Sequence, residues 1–321
     1  MNASNIHTVA CVGSGVIGTS WALNFAWKGC EVRLYDIGPA PLESARKTLQ
    51  KNLEVLMDNA VIKAEDIPLI EAKILFTDDL ERALSGAQFI QEAGPENYKM
   101  KQIVMENIER FADDNAIIAT STSGLLITEI AKFLKHPERL VGGHPYNPPH
   151  LIPLVEIVKG EQTPQETAQA AYDFYKGLGK EPIILNKEVS GFVSNRLQVA
   201  LYREIIDLVK NGVCTLEDTD KAVLYGPGIR WGIMGPSLIF HLGAGDGGIG
   251  SLLEKQIESF DIRLSEMADW KHFPTDMPEM CAEAIQAEIA NRTVEEGRTI
   301  PEMTQYRDTM LIELLKMHKK I

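Results

Sequence analysis

Short β-branched runs alternate with longer helical segments as far as about residue 187. Thr8-Val9-Ala10-Cys11-Val12, Glu31-Val32-Arg33-Leu34-Tyr35, Phe89-Ile90-Gln91, Ala116-Ile117-Ile118-Ala119 and Leu154-Val155-Glu156-Ile157-Val158 carry the strand pattern. Apolar runs this short, separated by helix-length segments, predict a parallel sheet covered by helices. From Val189 onward the strand signal stops. In FVSNRLQVALYREIIDLVKNG, Leu197, Leu201, Ile205 and Leu208 recur at helical spacing and Asn211-Gly212 supplies a stop. PEMTQYRDTMLIELLKMHKK repeats the pattern with Tyr306, Met310 and Leu314, opening on Pro301. The expected division is an α/β domain over 1–187 and an all-helical domain over 188–321. Apolar-faced helices in a small appended domain serve either dimerisation or packing within the domain.

Bulk properties narrow the class. A chain of 321 residues has room for two domains, and 45% apolar with 24% charged residues is ample for a core. The net charge of −13 argues against nucleic acid or an anionic membrane surface as partner, while leaving small cations attracted. MNASNIHTVACVGSG enters a strand signal without a basic, apolar leader pattern. No run reaches the roughly 18 apolar residues that span a bilayer. Cys11, Cys30, Cys214 and Cys281 lie far apart, with no CxxC pair and no Cys/His cluster. They read as reduced packing residues without a metal site, in a cytoplasmic protein.

The first chemical signal is VACVGSGVIGTSWALNFAWKGCEVRLYD. Gly13, Gly15 and Gly18 have GxGxxG spacing, directly after a strand and opening a helix. Gly13 permits the tight turn, Gly15 lets backbone approach a pyrophosphate, and Gly18 lets the helix lie close on the sheet. The second strand ends in Asp36, eighteen residues after Gly18, where an acid accepts the ribose hydroxyls. That acid repels a 2′-phosphate, so the expected cofactor is NAD rather than NADP.

The second signal is GGHPYNPPHLIPLVEIV. A nicotinamide enzyme that oxidises an alcohol needs a base for the hydroxyl proton, and imidazole titrates near working pH. A carboxylate on the other ring nitrogen fixes the tautomer and favours the imidazolium that forms. His144 and Glu156 fill those roles, with Pro145, Pro148, Pro149 and Pro153 stiffening the loop around the ring. On spacing alone, a loop histidine and a solvated strand-end acid remain an equal reading.

GxGxxG, S-T-S-G-L at 121–125, G-H-P-Y-N-P at 143–148 with Glu156 twelve after the histidine, and G-F-V-S-N-R at 191–196 together resemble the 3-hydroxyacyl-CoA dehydrogenase superfamily. The motif order covers nearly the whole chain. The resemblance implies a doubly wound, Rossmann-like first domain and a helical second domain that forms a homodimer. It implies that His144 and Glu156 are the catalytic dyad, with Ser123 and Asn195 as polar contacts near the substrate oxygen. It also implies that Glu96 and Lys101, in QEAGPENYKMK, border the NAD. Without it, the better reading of Ser123 is a turn residue and of Asn195 a helix-terminal one bonding its own backbone.

YGPGIRWGIMGPSLIFHLGAGD, Tyr225 to Asp246, departs from the acyl-CoA members, whose link into M-G-P is shorter. Arg230 and Trp231 suit a small carboxylate better than a pantetheine arm. The chain is similar to the short branch acting on small hydroxy acids such as carnitine and gulonate, with 3-hydroxybutyryl-CoA as a further alternative. An idle NAD-binding structural protein is the non-enzyme alternative. A quaternary ammonium cannot donate a hydrogen bond and is held by aromatic faces at about 0.5–2 kcal/mol per contact. Tyr146, Phe192, Trp231 and Phe240 are aromatic candidates, and Arg196 or Arg230 candidates for the carboxylate. GAGDGGIG, 243–250, lacks the strand before it and the Lys-Ser/Thr after it that a phosphate loop needs, and reads as a mobile connection.

Overall fold

The computed structural model describes residues 6–321. The chain forms two compact units, one running to Asn195 and including Lys320–Ile321, the other spanning Arg196–Lys319.

Eight strands build the first unit: β1 (Thr8–Val12), β2 (Glu31–Tyr35), β3 (Ile74–Thr77), β4 (Phe89–Glu92), β5 (Ile117–Thr120), β6 (Leu140–Pro145), β7 (Leu154–Val158) and β8 (Glu181–Ile184). They form one sheet in the order β3-β2-β1-β4-β5-β6-β7-β8. Neighbours are parallel except β6 and β7, which pair antiparallel. Around the sheet lie α1 (Val16–Trp27), α2 (Pro39–Asp58), α3 (Asp66–Glu71), α4 (Leu80–Leu84), α5 (Tyr98–Phe111), α6 (Ile127–Ile130) and α7 (Gln165–Gly177). The expected α/β class with helices over a mostly parallel sheet is what the chain adopts.

Strand alternation sorts the core into two layers. On one face Trp21 and Phe25 of α1 stack with centroids 5.0 Å apart, and Phe89 of β4 meets Phe174 of α7 at 4.5 Å. On the other, Ala10, Val12, Ile90 and Ile118 pack against Met105 and Ile108 of α5 and Ile127 and Ile130 of α6. Each such large side chain contributes roughly 1.5–3 kcal/mol when fully buried. All residues of β4, β5 and β6 are buried, as in parallel sheets covered on both faces.

Three strands carried no clear sequence signal, and β6 matters most. LVGGHP has two glycines and a proline, poor strand formers in isolation. The glycines are there for room: a Cβ on Gly143 would lie 2.3 Å from the Tyr175 hydroxyl, and one on Gly142 2.9 Å from Val158 Cβ. His144 therefore sits on a strand, not in the proline-framed loop expected, and the sheet is not wholly parallel.

α8 (Ser194–Lys210) runs across the boundary of the units. Gly212, at φ +68°, ends it as expected, with Val213 N–H returning to Leu208 O. The apolar stripe is buried only at its far end: Ile205 is covered, whereas Leu197 and Leu201 are exposed. The second unit continues with α9 (Leu216–Val223), α10 (Ile229–Trp231), α11 (Pro236–Gly243), α12 (Gly248–Glu266), α13 (Met277–Asn291) and α14 (Ile300–Met317). α14 opens on a capping box between Thr299 and Glu302, and its deepest positions are Ile312 and Leu315 rather than Met310. Of residues 243–250, only 244–247 connect α11 to α12, through a single 3-10 turn at Gly245–Gly247. Gly248 has φ +61°, and a Cβ there would meet the His241 ring at 2.7 Å.

Candidate active site

The glycine turn after β1 is built as its spacing suggested. Gly13 has φ +104°, and a Cβ on it would lie 2.6 Å from Ala93 O. A Cβ on Gly18 would sit 1.8 Å from Gly13 O, so α1 reaches the sheet only because that position is bare. Gly15 precedes α1 with no side-chain cap, and nothing lies within 4 Å of where its Cβ would be. Open space above uncapped helical N–H groups fits a pyrophosphate. Asp36 follows β2; its Oδ2 accepts from both Ser14 N–H and Ser14 O–H at 2.7 Å, and its Oδ1 from Ile37 N–H at 2.8 Å. Ser14, which the glycine pattern does not specify, thus ties the ribose-side acid to the phosphate-side turn.

Behind β4 the structure departs from expectation. Lys101 does not border open space: it is 1% exposed, one turn into α5, and its Nζ lies 3.0 Å from both carboxylate oxygens of Glu92. Two opposite charges both removed from water need such a close pairing to offset their desolvation. Glu92, at the end of β4, was missed because a lone acid finishing an apolar run gives no sign of its partner. Glu96 lies 3.6 Å from Lys101 and stays half-exposed. Its Oε1 accepts from Thr122 O–H and Ser123 N–H, both at 2.7 Å, and from Ser123 O–H at 3.0 Å. Burial alone would raise the Glu96 carboxyl, but these bonds and the Lys101 charge outweigh it and hold it below its ordinary value. The Glu96 carboxylate thereby fixes Ser123.

The twelve-residue interval between His144 and Glu156 is an antiparallel hairpin. The two residues are register partners on β6 and β7, so their side chains leave the same face. His144 Nδ1 and Glu156 Oε2 are 2.8 Å apart. Glu156 is 0% exposed, yet ionised: burial would raise it, but bonds from His144, the Ser194 hydroxyl and the Ser194 and Val193 amides bring it down to about 2. An ionised acid only accepts, so Nδ1 carries the ring proton and Nε2 presents a lone pair.

Two backbone contacts bring the remaining motifs to this pair. Gly191 N–H donates to Gly124 O at 3.2 Å, and a Cβ on Gly124 would lie 2.9 Å from Gly191. S-T-S-G and G-F-V-S-N therefore touch. Asn195 Nδ2 donates to Ser123 O at 2.7 Å, and Tyr146 O–H donates to Asn195 Oδ1 at 3.3 Å. The Tyr146 ring meets His144 edge-on at 6.0 Å. Burial, and then the Glu156 charge, raise the Tyr146 phenol, against a Ser194 bond that lowers it.

Phe192 corrects an expectation: its ring is fully buried, 5.6 Å from the His144 ring, and belongs to the core layer with Ile127 and Leu140. It backs the imidazole and offers no face to a ligand. Its φ of +52°, unusual for a bulky residue, follows Gly191 at +76° and turns the chain into α8. Arg196, Arg230 and Trp231 belong to the second unit, on α8 and α10, and all three are exposed. Among the described residues no group of three or more His, Cys, Asp or Glu side chains is arranged to hold a metal ion.

An oriented imidazole beside fixed hydroxyl, amide and phenol groups, in a unit with a dinucleotide turn, defines a dehydrogenase of alcohols. The chain belongs to the 3-hydroxyacyl-CoA dehydrogenase family: its NAD binding domain matches residues 8–189 and its C-terminal domain residues 191–283. The protein is an NAD-dependent dehydrogenase acting on a hydroxyl group. It is 38% identical to L-carnitine dehydrogenase of Oceanobacillus iheyensis over 314 residues, 96% of this chain and 97% of the relative. It is 35% identical to the L-carnitine dehydrogenase of Streptomyces coelicolor over 97% of this chain and 95% of that one. Among solved structures, an NAD+-dependent dismutase, 5-formyl-3-hydroxy-2-methylpyridine 4-carboxylic acid 5-dehydrogenase, superposes with a TM-score of 0.79 at 29% identity, covering 98% of both chains. The (S)-3-hydroxybutyryl-CoA dehydrogenase of Ralstonia eutropha superposes at 0.65 and 30% identity over 68% of this chain and 77% of its own.

Proposed function

We propose that the protein oxidises the 3-hydroxyl of L-carnitine to give 3-dehydrocarnitine. The observation that carries the chemistry is the 2.8 Å pairing of His144 with an ionised Glu156 on the facing strand. His144 Nε2 takes the hydroxyl proton as the carbon loses hydride, and Glu156 stabilises the imidazolium that results. Ser123, whose hydroxyl donates to Glu96, is assigned as a polar positioner beside the substrate oxygen, and Asn195 orients that segment through Ser123 O. Gly13, Gly15, Gly18 and Asp36 hold the dinucleotide, with Glu96 on its border and Lys101 acting through Glu92 and Glu96. Bound NAD supplies the carbon that accepts hydride.

Support for carnitine comes from relatives of that name that match nearly end to end, and from the net charge of −13, which attracts a cation. Tyr146 is the aromatic assigned to the trimethylammonium. Arg196 or Arg230 is assigned to the carboxylate, and Trp231 is a further candidate for substrate binding. The active form we infer is a cytoplasmic homodimer joined through the helical domain. Leu238, Leu242, Ile257, Ile262 and Leu264, all exposed on α11 and α12, support a face that a second copy covers.

The test is NADH formation from L-carnitine, gulonate and 3-hydroxybutyryl-CoA under one set of conditions. Carnitine should give the highest kcat/KM, and His144→Ala should abolish turnover while leaving NAD affinity within about threefold. Preference for gulonate or the thioester would overturn the substrate. Near-normal turnover by the variant would overturn the base.

A further inference from the structure

Glu156 Oε2 has two donors: His144 Nδ1 at 2.8 Å and the Ser194 hydroxyl at 2.5 Å. Its Oε1 has two more, the amides of Val193 at 2.9 Å and Ser194 at 3.0 Å. Ser194 opens the 17-residue α8, so the acid also lies against that helix's N-terminal N–H groups. Three of the four donors therefore belong to one short segment, and one of them is the Ser194 hydroxyl, which also bonds Tyr146.

We infer that Ser194 is a positioning and tuning residue for the proposed reaction: by sharing Glu156 Oε2 with His144, its hydroxyl weakens the hold of the acid on the imidazolium. This rests on the assignment of His144 and Glu156 as base and orienter. The physical basis is competition at one oxygen. A carboxylate oxygen already accepting a short O–H bond has less charge to offer a second donor, and ionised acceptors form the strong hydrogen bonds. Without the hydroxyl, that oxygen turns more fully toward Nδ1–H and the charged ring becomes easier to form. The other groups facing the acid do not compensate. Tyr146, in the turn after β6, is a titratable neighbour that Glu156 influences, and the residue paired with Glu156 from β8 is the apolar Ile183.

Ser194 also departs from the role its position suggested. Both its N–H and its O–H donate to Glu156. A polar residue opening a helix ordinarily serves that helix's own amides. Here the hydroxyl points away from α8 to the acid.

The experiment compares wild type, Ser194→Ala and Ser194→Thr. The primary readout is the pH titration of the His144 ring in 15N-histidine-labelled protein, its signal identified by its loss in His144→Ala. The midpoint should rise by about 0.5–1 pH unit in Ser194→Ala and return to within about 0.2 unit of wild type in Ser194→Thr. The second readout is the pH profile of kcat/KM for NADH formation. Its acid limb should move up by the same amount, costing about three- to tenfold at pH values well below the midpoint and nothing on the alkaline plateau, because the ring is then unprotonated in both proteins. A uniform loss at every pH with an unmoved ring midpoint would assign Ser194 a merely structural role and overturn the inference, as would failure of Thr to restore the midpoint. The ring titration needs no substrate. A wild type that turns over no hydroxy acid would defeat the catalytic reading; an unmoved midpoint, or one that Thr fails to restore, would defeat this one.

Discussion

Glu156→Gln is the most informative substitution, because it changes one charge and almost no shape. The Oε1 position accepts two backbone amides, so the glutamine oxygen is forced there and its NH2 group falls where Oε2 was. That NH2 then faces His144 Nδ1, at 2.8 Å from the atom it replaces. It can donate only to an unprotonated Nδ1, so the ring must carry its proton on Nε2 and has no lone pair left for the substrate hydroxyl. Loss of the charge-assisted bond alone, about 1.5–3 kcal/mol, lowers the rate roughly 10- to 100-fold. The wrong tautomer should bring the total fall in kcat/KM to about 10³–10⁴-fold. Stability changes too. The folded acid titrates at about 2 instead of its ordinary 4.5, so wild type holds roughly 3 kcal/mol above pH 4.5 that disappears as the pH falls toward 2. Glutamine cannot titrate, so the variant should lack that acid-dependent contribution. The assays are NADH formation, 15N tautomer signals of His144, and urea unfolding at pH 6 and pH 3. A variant within tenfold of wild-type kcat/KM, or with wild-type dependence of unfolding on acid, would refute the account of Glu156.

Among the described residues Lys180 has no carboxylate partner; its Nζ donates to Pro149 O and Ile152 O, and burial, aided by Lys28, brings it down to about 7. Its charging therefore costs stability below pH 7, and that cost is relieved between about 7 and 10.5, at up to about 1.4 kcal/mol per pH unit. The gap in urea midpoint between wild type and Lys180→Met should shift in favour of wild type from pH 6.5 to pH 9; a constant gap contradicts this. Asp36→Ser should raise the NADP:NAD ratio of kcat/KM at least tenfold, since it removes the anion that opposes a 2′-phosphate. Gly143→Ala should destabilise by about 1–3 kcal/mol in thermal or urea unfolding, because its Cβ would lie 2.3 Å from the Tyr175 hydroxyl.

What the sequence made legible depended on whether a feature was local. The glycine turn was readable because Gly13, Gly18 and Asp36 obey constraints set within one strand-turn-helix-strand unit. α14 was readable for the same reason, its Thr299 and Glu302 cap being three residues apart. β6 was not, because Gly142 and Gly143 are chosen by Val158 and Tyr175, which approach from elsewhere in the chain. Lys101 was misjudged because its partner Glu92 faces inward from the end of a strand and looks solvated on paper. Phe192 was misjudged because its position near motif residues says nothing about which way its ring points. The commitment of Ser194 to Glu156 required the Gly124–Gly191 contact to be known first.

The antiparallel pairing of β6 with β7 explains why the site has its form. Gly13, Glu96 and Ser123 follow the C-terminal ends of β1, β4 and β5, and His144 lies near the C-terminal end of β6, so all four emerge on one edge of the parallel sheet. An acid brought by another parallel strand would need a crossover of a dozen or more residues, and the strand would reach this edge only at its far end. The short return through residues 146–153 starts β7 at the same edge, which places Glu156 opposite His144 on the same face. The same return puts Pro149 and Ile152 within reach of Lys180, and His150 within 2.7 Å of the Ser20 hydroxyl on α1. One turn thus links the helix that begins at the dinucleotide glycines to the strand that carries the imidazole. A substitution that loosens it should disturb cofactor affinity and ring geometry together.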